Sequence, residues 1–357
     1  MKPTELLAQL QAHESLTDRQ VTWLAESLLH PEMPDTEKTD LLRALSQKGE
    51  TVSEIVGFVR AFLSHAVYPD LDIDELGTAI DVCGTGGDKL DLFNISTTTM
   101  FVLAGAGITV VKHGNRGVTS KSGGADVLEA LNIRIDLSPQ EFSSCVMQTG
   151  AGFMFAPNYH PAFKVIAPVR KRLASEGTRT IFNLIGPLLN PVQPYFQLVG
   201  LADGKLTQKY AEILFELGRI RAWAVHGSTA EGYGMDELSN LGPNTISEVA
   251  FGKFKELVVD PSALNLPPAN LSDLKGGDAE TNAEILTSIL SGKLRGPARD
   301  IVTLNAAAAL QITGQAEDWA EALELASSVI DEGRALKALQ AMQEYCLSLE
   351  SAKEALI

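Results

Sequence analysis

Two glycine-rich segments, about one helix apart, most constrain what this chain can fold into. The first, GTGGD at residues 84–88, follows the apolar stretch Thr78–Val82, and the second, KHGNR at 112–116, follows the β-branched run Ile108–Val111. Each pattern predicts a strand, a glycine turn and a hydroxyl-rich helix start. Free backbone N–H groups and positive helix ends would then face one crevice, so the sequence predicts an anion-binding site.

Polar side chains beside both segments favour phosphate as the anion. Glycine lets the main chain approach a ligand closely, and short side chains next to it add hydrogen-bond donors. These donors are Asn94, Ser96, Thr97, Thr119 and Ser120, with positive charge from Lys112 and Arg116. The spacing fits neither the mononucleotide P-loop nor the dinucleotide fingerprint.

Composition limits the class of protein. A chain of 357 residues, 45% of them hydrophobic, predicts a well-buried core divided between two lobes. Three widely separated cysteines offer neither a disulfide framework nor a CxxC metal site. With no long apolar run, we expect a cytoplasmic protein without membrane insertion.

The charge balance argues against a nucleic-acid surface. The formal net charge is −16, which repels polyanions. The basic residues nevertheless concentrate around the glycine-bearing segments, which favours a local pocket for a small anion. They are Lys112, Arg116, Lys121, Arg170, Lys171, Arg172 and Arg179.

Apolar spacing predicts a small helical domain over residues 1–70. Apolar residues recur every three or four positions in four segments, with Thr17 and Ser53 as expected N-caps. The segments are Thr4–Ala12, Thr17–Leu29, Asp35–Gln47 and Ser53–Ala66. The acidic stretch Pro69–Glu75 is expected to be the linker into a large domain over residues 76–357.

The rest of the chain predicts an α/β domain with a mostly parallel central sheet covered by helices, because short apolar strands alternate with helical segments. The expected strands are Thr78–Val82, Ile108–Lys112, Gly152–Phe155, Gln197–Gly200 and Arg221–His226. Residues 255–275 are expected to form an extended connection, and Thr281–Ile357 a helical cover. Ligands of such sheets bind outside the carboxyl ends of the strands, where both glycine segments fall.

These motifs, taken together, resemble those of the anthranilate phosphoribosyltransferases, in the nucleoside phosphorylase-like phosphoribosyltransferases. The likeness runs from about Thr78 to Gly314. It rests on GTGGD, FNIST at 93–97, KHGNR and GGAD at 123–126, and continues with HPA at 160–162, PVR at 168–170 and RTIFNLIGPLLNP at 179–191. It resumes with DELS at 236–239, GGD at 276–278 and GPARD at 296–300.

The resemblance implies a small α-helical domain joined to a large α/β domain, with the active site in the cleft between them. It places the helices of about residues 165–190 with the small domain and implies a homodimer through that domain. The implied reaction moves the phosphoribosyl group of 5-phosphoribosyl 1-diphosphate to the amine of anthranilate, releasing diphosphate, in tryptophan biosynthesis. No partner beyond these small molecules and the second copy is implied.

The resemblance also implies the site residues. Gly84, Gly87, Asp88, Asn94, Ser96, Thr97, Lys112 and Ser120 would bind the phosphoribosyl diphosphate. Gly84, Asn115, Arg170, His113, His160 and Pro187 would bind anthranilate. Mg²⁺ would be held by Ser96, Asp236 and Glu237, as oxygen ligands suit a hard cation. No general base is assigned, because the amine of anthranilate is already neutral and needs positioning.

Several positions depart from the family pattern. Lys89 stands where glycine is usual, Leu92 where a hydroxyl residue is usual, and Gly124 where serine is common. Residues 174–176 and a segment within 228–233 resemble insertions. Because they flank the expected acceptor and metal sites, they bear on the choice of acceptor.

Two alternatives therefore stay open. One is an enzyme of the same fold with another acceptor, or with phosphate as nucleophile as in the pyrimidine nucleoside phosphorylases, which Lys89 favours. The other is a non-enzymatic nucleic-acid-binding relative, against which the charge balance and the intact Asp236-Glu237 pair count.

Overall fold

The computed structural model describes residues 1–117 and 121–354. Its internal contacts divide the chain into two compact units. The helical unit comprises Met1–Tyr68 and Pro157–Pro191, and the α/β unit comprises Pro69–Ala156 and Val192–Ile357. Two separate stretches of chain thus build each unit.

Helices make up the helical unit. They are α1 (Pro3–Gln11), α2 (Asp18–Leu29), α3 (Asp35–Lys48), α4 (Val52–Leu63), α9 (Ala156–Tyr159, which starts at the boundary), α10 (Ala167–Ser175) and α11 (Phe182–Ile185). The N-cap predicted at Thr17 is confirmed for α2. The one predicted at Ser53 is wrong, because Thr51 caps α4: its hydroxyl accepts from the N–H of Glu54, whose carboxylate accepts from the N–H of Thr51.

Aromatic packing joins the two stretches of the helical unit. The ring of Phe62 in α4 stacks on Phe182 with centroids 5.5 Å apart and meets Phe163 edge-on at 5.1 Å. Such pairs contribute about 0.5–1.5 kcal/mol beyond the apolar area they bury. The early and late segments therefore share one hydrophobic core.

An eight-stranded sheet forms the centre of the α/β unit, in the order β3-β2-β1-β4-β5-β7-β8 with β6 paired to β5. The first five strands of this order are parallel, and β6, β7 and β8 join antiparallel. The strands are β1 (Ala79–Gly84), β2 (Thr109–Gly114), β3 (Ala151–Phe155), β4 (Phe196–Gly200), β5 (Arg221–Ser228), β6 (Gly234–Met235), β7 (Asn244–Ala250) and β8 (Lys253–Val259). The predicted mostly parallel sheet is confirmed.

Helices accompany this sheet in the α/β unit, and most of them cover it. They are α5 (Ile73–Leu76), α6 (Ile95–Gly105), α7 (Gly124–Ala130), α8 (Pro139–Thr149), α12 (Thr207–Glu216), α13 (Ala279–Leu290), α14 (Pro297–Ile312), α15 (Trp319–Asp331) and α16 (Arg334–Glu354). Helix α14 is the most buried, and packs against α6 and β4. The helical ending predicted from Thr281 is confirmed for the described residues.

The extended connection predicted for 255–275 is partly wrong. Lys253–Val259 is the edge strand β8, whose alternating charged side chains lie mostly exposed, and two short 3-10 turns follow it at Pro261–Leu264 and Leu271–Leu274. An edge strand needs only one hydrogen-bonding neighbour and few apolar residues, so its sequence lacks the buried-strand pattern. Within the described residues, no helix has the length and hydropathy needed to cross a membrane.

Candidate active site

The first glycine loop links the carboxyl end of β1 to the start of α6. Gly86 and Gly87 adopt positive φ angles of 72° and 92°, and Lys89 and Asp91 share that left-handed region at 60° and 50°. The left-handed region costs a residue with a β-carbon about 1–2 kcal/mol. The glycine usual in the family at the position of Lys89 therefore has a physical reason here.

Asn94 connects the two glycine loops. It stands at the N-cap position of α6, yet its amide Nδ2 donates to the carbonyl of Ser122 in the second loop (3.2 Å). Its Oδ1 accepts from Nδ2 of Asn282 (2.8 Å). Ser96 and Thr97 follow in the first turn of α6. The two loops predicted to share a crevice are thus joined at the end of the sheet.

The GGD motif at 276–278 supports the first loop. Leu92 pairs with Lys275 in an isolated β-bridge, and the N–H of Gly276 donates to the carbonyl of Asp91 (2.8 Å). A β-carbon on Gly276 would lie 2.8 Å from Cα of Phe93, so only glycine permits this approach. Asp278 caps α13 by accepting from the N–H of Thr281. This motif therefore has a supporting role in the loop.

Lys112 is a buried cation at the end of β2. Its Nζ donates to the carbonyl of Val82 in β1 and to Oγ of Ser96 in α6, the latter at 3.2 Å. Its positive charge also acts on the nearby Glu237, where it opposes the burial that raises the pKa of that carboxyl group. A strand, a helix start and the DELS loop thus converge on one ammonium group.

Asp236 and Glu237 lie across the carboxyl ends of three neighbouring strands. Glycine makes this possible, because a β-carbon on Gly200 would stand 1.6 Å from the carbonyl oxygen of Asp236. One on Gly227 would stand 2.4 Å from the carbonyl oxygen of Glu237. Gly84, opposite Gly200 in the sheet register, leaves room for the Asp236 carboxylate. The strand ends thus form a glycine bed, Gly84, Gly200 and Gly227, under the DELS loop.

The carboxylate pair is held against the first glycine loop. Oδ2 of Asp236 accepts from the N–H of Gly86 (2.6 Å), and the Glu237 carboxyl group lies near the N–H of Ser96, which acts to lower the pKa that burial raises. Asp88 in the loop interacts with Asp236. The structure therefore brings Gly84, Asp88, Ser96 and Lys112 together with both DELS carboxylates.

Burial and mutual repulsion raise the pKa of the clustered carboxyl groups. Burial raises the pKa of Asp236, and the charge of Asp88 raises it further. Burial, followed by the charge of Asp236, likewise raises the pKa of Glu237 against the opposing effect of Lys112. Three carboxylates facing one ammonium favour the arrival of a further cation.

The second glycine loop differs from its prediction in the role of Arg116. Its guanidinium pairs with Asp126 at 2.9 Å and with both oxygens of Glu129, which raises the pKa of Arg116, so its charge is not directed at a phosphate. Oδ2 of Asp126 accepts from the N–H groups of Gly117 (2.9 Å) and Gly123 (2.8 Å). The GGAD motif thus ties the two ends of this loop together.

The remaining predicted residues of the second loop are placed only in part. His113 is buried in β2, where its backbone N–H donates to Oδ1 of Asp81 (3.4 Å). Asn115 is exposed, and its Oδ1 accepts from the N–H of Arg116 (2.8 Å). Ser120, predicted to bind the donor, lies outside the described residues, as does Thr119.

The other predicted acceptor residues belong to the helical unit. The exposed Arg170 on α10 places its guanidinium 4.9 Å from the ring centroid of Phe182, a cation–π arrangement. His160 is buried, its Nε2 donates to the carbonyl of Leu189 (2.8 Å), and burial lowers its pKa. Pro187 is buried in a short 3-10 turn, Gly186–Leu188. His160 thus stays neutral near pH 7.

The residues that fix the DELS loop, 236–239, lie outside the motifs that predicted the site. Asn305 on α14 and Asn244 on β7 each bond both the N–H and the C=O of one loop residue, Leu238 and Ser239 respectively. A signal for Asn305 was present, since it is an amide within the otherwise apolar run of α14. Gly200 ends a buried strand and Gly227 is the next-to-last residue of another, a further signal that a chain segment approaches closely.

Two family models match the chain. The helical bundle domain of a glycosyl transferase family matches residues 4–66, and its a/b domain matches residues 76–336. An anthranilate phosphoribosyltransferase of Methanocorpusculum labreanum is 43% identical over 336 residues, covering 94% of this chain and 96% of the relative. That of Desulfatibacillum aliphaticivorans is 40% identical over 96% of this chain and 98% of its own.

The chain belongs to the anthranilate phosphoribosyltransferase family.

Solved structures agree with this membership. The anthranilate phosphoribosyltransferase of Thermus thermophilus superposes with a TM-score of 0.86 at 34% identity, covering 96% of this chain and 99% of its own. That of Saccharomyces cerevisiae, solved in complex with PRPP and Mg, superposes with a TM-score of 0.83 at 26% identity, covering 97% and 98%. The resemblance seen in the motifs is thereby confirmed over nearly the whole chain.

Proposed function

We propose that this chain transfers the phosphoribosyl group of 5-phosphoribosyl 1-diphosphate to the amine of anthranilate. The bond from C1 of the ribose to the diphosphate oxygen breaks, and a bond from C1 to the amine nitrogen forms. The amine loses one proton to water, giving N-(5-phosphoribosyl)anthranilate and diphosphate. Negative charge grows on the leaving group, so its stabilisation is the main catalytic requirement.

One observation carries the proposal: the DELS carboxylates lie against the first glycine loop together with Lys112. The N–H of Gly86 bonds Asp236, and Glu237 lies near the N–H of Ser96 and the Lys112 ammonium. A leaving diphosphate needs positive charge beside it, which Lys112 and a divalent cation held by the two carboxylates would supply next to the glycine loop. The buried Lys112 ammonium would neutralise part of the charge that develops on the diphosphate.

We assign the donor to the loop residues that converge there. The donor-binding set is Gly84, Gly87, Asp88, Asn94, Ser96, Thr97, Lys112 and Ser120. Asn94 supports this assignment, since its side chain ties together the loops that would hold opposite ends of the donor. Arg116 is left out, because its guanidinium is engaged by Asp126 and Glu129.

Mg²⁺ fits the residues that are present. The three side chains assigned to the metal, Ser96, Asp236 and Glu237, all offer oxygen as the ligand atom. The raised pKa values of the two carboxyl groups indicate a site that lacks positive charge. Within residues 1–117 and 121–354, no three histidine, cysteine or carboxylate side chains form a ready set of metal ligands. A cation that keeps water and phosphate oxygens in its shell suits such a site. When bound, Mg²⁺ would withdraw charge from the leaving diphosphate.

The acceptor is assigned to Gly84, Asn115, Arg170, His113, His160 and Pro187. Arg170 favours an aromatic acid as the acceptor, because its planar guanidinium matches a carboxylate and already lies over the aromatic ring of Phe182. Buried, neutral His160 would fix the surrounding backbone through Leu189 rather than transfer a proton.

Loss of anthranilate fluorescence tests the reaction. Purified chain, donor and Mg²⁺ should together abolish the signal, and EDTA should prevent the loss. Phosphate with a pyrimidine nucleoside serves as the competing substrate pair. Turnover of that pair without loss of anthranilate would replace the proposal with a nucleoside phosphorylase.

We further propose a cytoplasmic homodimer formed through the helical domain. That domain would comprise residues 1–70, joined by the helices of about 165–190, and the large domain would comprise residues 76–357. Light scattering of the purified chain should give twice the 38.3 kDa chain mass. A monomer would contradict this part of the proposal and leave the reaction untouched.

A further inference from the structure

The DELS loop is held by side-chain amides rather than by a strand ladder. Oδ1 of Asn305 accepts from the N–H of Leu238 (3.0 Å), and its Nδ2 donates to the carbonyl of the same residue (2.9 Å). Oδ1 of Asn244 accepts from the N–H of Ser239 (2.6 Å), and its Nδ2 donates to the Ser239 carbonyl (2.9 Å). Two consecutive residues thus have their backbone groups fixed from α14 and from β7.

Asn305 lies in a setting that otherwise calls for an apolar residue. Every residue from Ala298 to Ile312 except Asp300 is buried, and Asn305 is 1% exposed. Its Nδ2 also donates to the carbonyl of Ile301 (2.9 Å) one helical turn earlier, so its hydrogen-bonding capacity is well used. Burying an amide is favourable only when such bonds are made. The amide is therefore directed at the loop.

The loop segment fixed by Asn305 adjoins the carboxylate pair. Leu238 follows Glu237 directly, so the bond to its N–H fixes the peptide plane that joins the two residues. On the other side, the carbonyls of Asp236 and Glu237 rest on Gly200 and Gly227. The glycine bed therefore limits movement toward the sheet, and Asn305 limits movement along the loop.

We propose that Asn305 is a positioning residue for the metal-binding carboxylates, an inference that rests on the proposed function. Without its amide, the Leu238 peptide would be free to rotate, and Glu237 would lose its alignment with the N–H of Ser96 and with Lys112. The two carboxylates would then bind the divalent cation less tightly. Asn305 itself touches neither the cation nor the substrates.

The test compares Asn305→Leu with Thr303→Val on the same helix. Leucine keeps the branching of asparagine at Cγ and removes both bonds to Leu238, whereas valine at 303 removes only a hydroxyl bond to the carbonyl of Arg299 within α14. Mn²⁺ replaces Mg²⁺ as a spectroscopic probe, and its binding with 5-phosphoribosyl 1-diphosphate is titrated by electron paramagnetic resonance. Circular dichroism establishes that each variant is folded.

We expect the Mn²⁺ dissociation constant to rise about tenfold in Asn305→Leu, as expected for loss of one to two net hydrogen bonds. It should stay at the wild-type value in Thr303→Val. The Mg²⁺ concentration for half-maximal activity should rise in parallel, while KM for anthranilate stays constant. A folded Asn305→Leu variant that binds Mn²⁺ like the wild type overturns the inference.

A second measurement needs no variant. Hydrogen exchange of the wild-type peptide covering 236–241 should be as slow as that of α14, and fast exchange at Leu238 would contradict the positioning role. Asn305→Ser, whose short hydroxyl reaches only its own helix, replaces the leucine variant if that one aggregates. A wild type that binds no Mn²⁺ with the donor would instead overturn the proposed function, which keeps the two failures distinct.

Discussion

Gly84 and Asp236 are so close that a β-carbon on Gly84 would stand 2.3 Å from Oδ2 of Asp236. The two residues are far apart in the chain, yet one side chain occupies the space that the other lacks. This contact joins the first glycine loop to the DELS loop. It explains why the strand must end in glycine, since any larger residue would displace a carboxylate assigned to the metal.

Gly84→Ala should therefore weaken catalysis more than folding. A displacement of about 1 Å at the carboxylate is expected to lower kcat/KM about 100-fold. Steady-state kinetics at several Mg²⁺ concentrations would measure this loss. Gly218→Ala is the control, because it strains a left-handed residue after α12, at φ 85°, and should lower the melting temperature with normal kinetics. Equal kinetics in both variants would argue against the role of Gly84.

Arg170→Ala should raise KM for anthranilate without a matching change in KM for the donor. A charge-assisted hydrogen bond contributes about 1.5–3 kcal/mol, which corresponds to a factor of roughly 10 to 100. Arg172→Ala is the matched control, as Arg172 lies on the same helix and pairs with Glu176 at 3.5 Å. If the two variants have the same KM for anthranilate, the acceptor assignment of Arg170 is wrong.

Asp126→Ala should loosen the second glycine loop. It removes the acceptor of two backbone N–H groups, one exposed and one half-buried, as well as a partner of Arg116, and each such bond is worth about 0.5–1.5 kcal/mol. We expect a lower melting temperature and a higher KM for the donor. Glu129→Ala removes only an exposed ion pair, worth about 0–1 kcal/mol, and should leave donor KM unchanged.

Glu54→Gln should destabilise the helical unit by about 3–5 kcal/mol, because it leaves the buried Lys48 ammonium without its charge partner at 2.7 Å. Burial alone would raise the pKa of Glu54, but bonds from the N–H of Leu16, from Lys48 and from the N–H of Thr51 outweigh it and lower the pKa.

The lowered pKa of Glu54 gives a pH dependence with a definite sign. Its stabilisation is complete above the unfolded pKa, near 4.3, and is lost as the pH falls through the lower folded value. The difference in unfolding free energy between wild type and Glu54→Gln should therefore shrink below about pH 4. Urea unfolding at pH 7 and pH 4 measures it. Exposed Glu26→Gln serves as control, and a gap independent of pH would contradict the assignment.

Local patterns in the sequence determined the elements and the family. Apolar runs of strand length, glycines after them and hydroxyl residues at helix starts place β1 to β5 and α6, because these preferences act over a few neighbouring residues. The motif order then identified the family. The edge strand β8 and the N-cap at Thr51 were not predicted. A single ladder with β7 holds β8 in the sheet, and a single hydroxyl bond makes Thr51 the cap of α4.

The tertiary structure alone decided which residues hold the carboxylates in place. Arg116 has the charge and hydrogen-bond donors of a phosphate ligand, but in the fold its guanidinium pairs with Asp126 and Glu129. Asn305 and Gly200 stand out locally as an amide in an apolar helix and a glycine at a strand end, but neither pattern identifies its partner, because their contacts join segments separated by tens of residues. The sequence by itself determined which chemical groups are available. Only folding, which brings distant segments together at the carboxyl ends of the central strands, decided which of these groups meet.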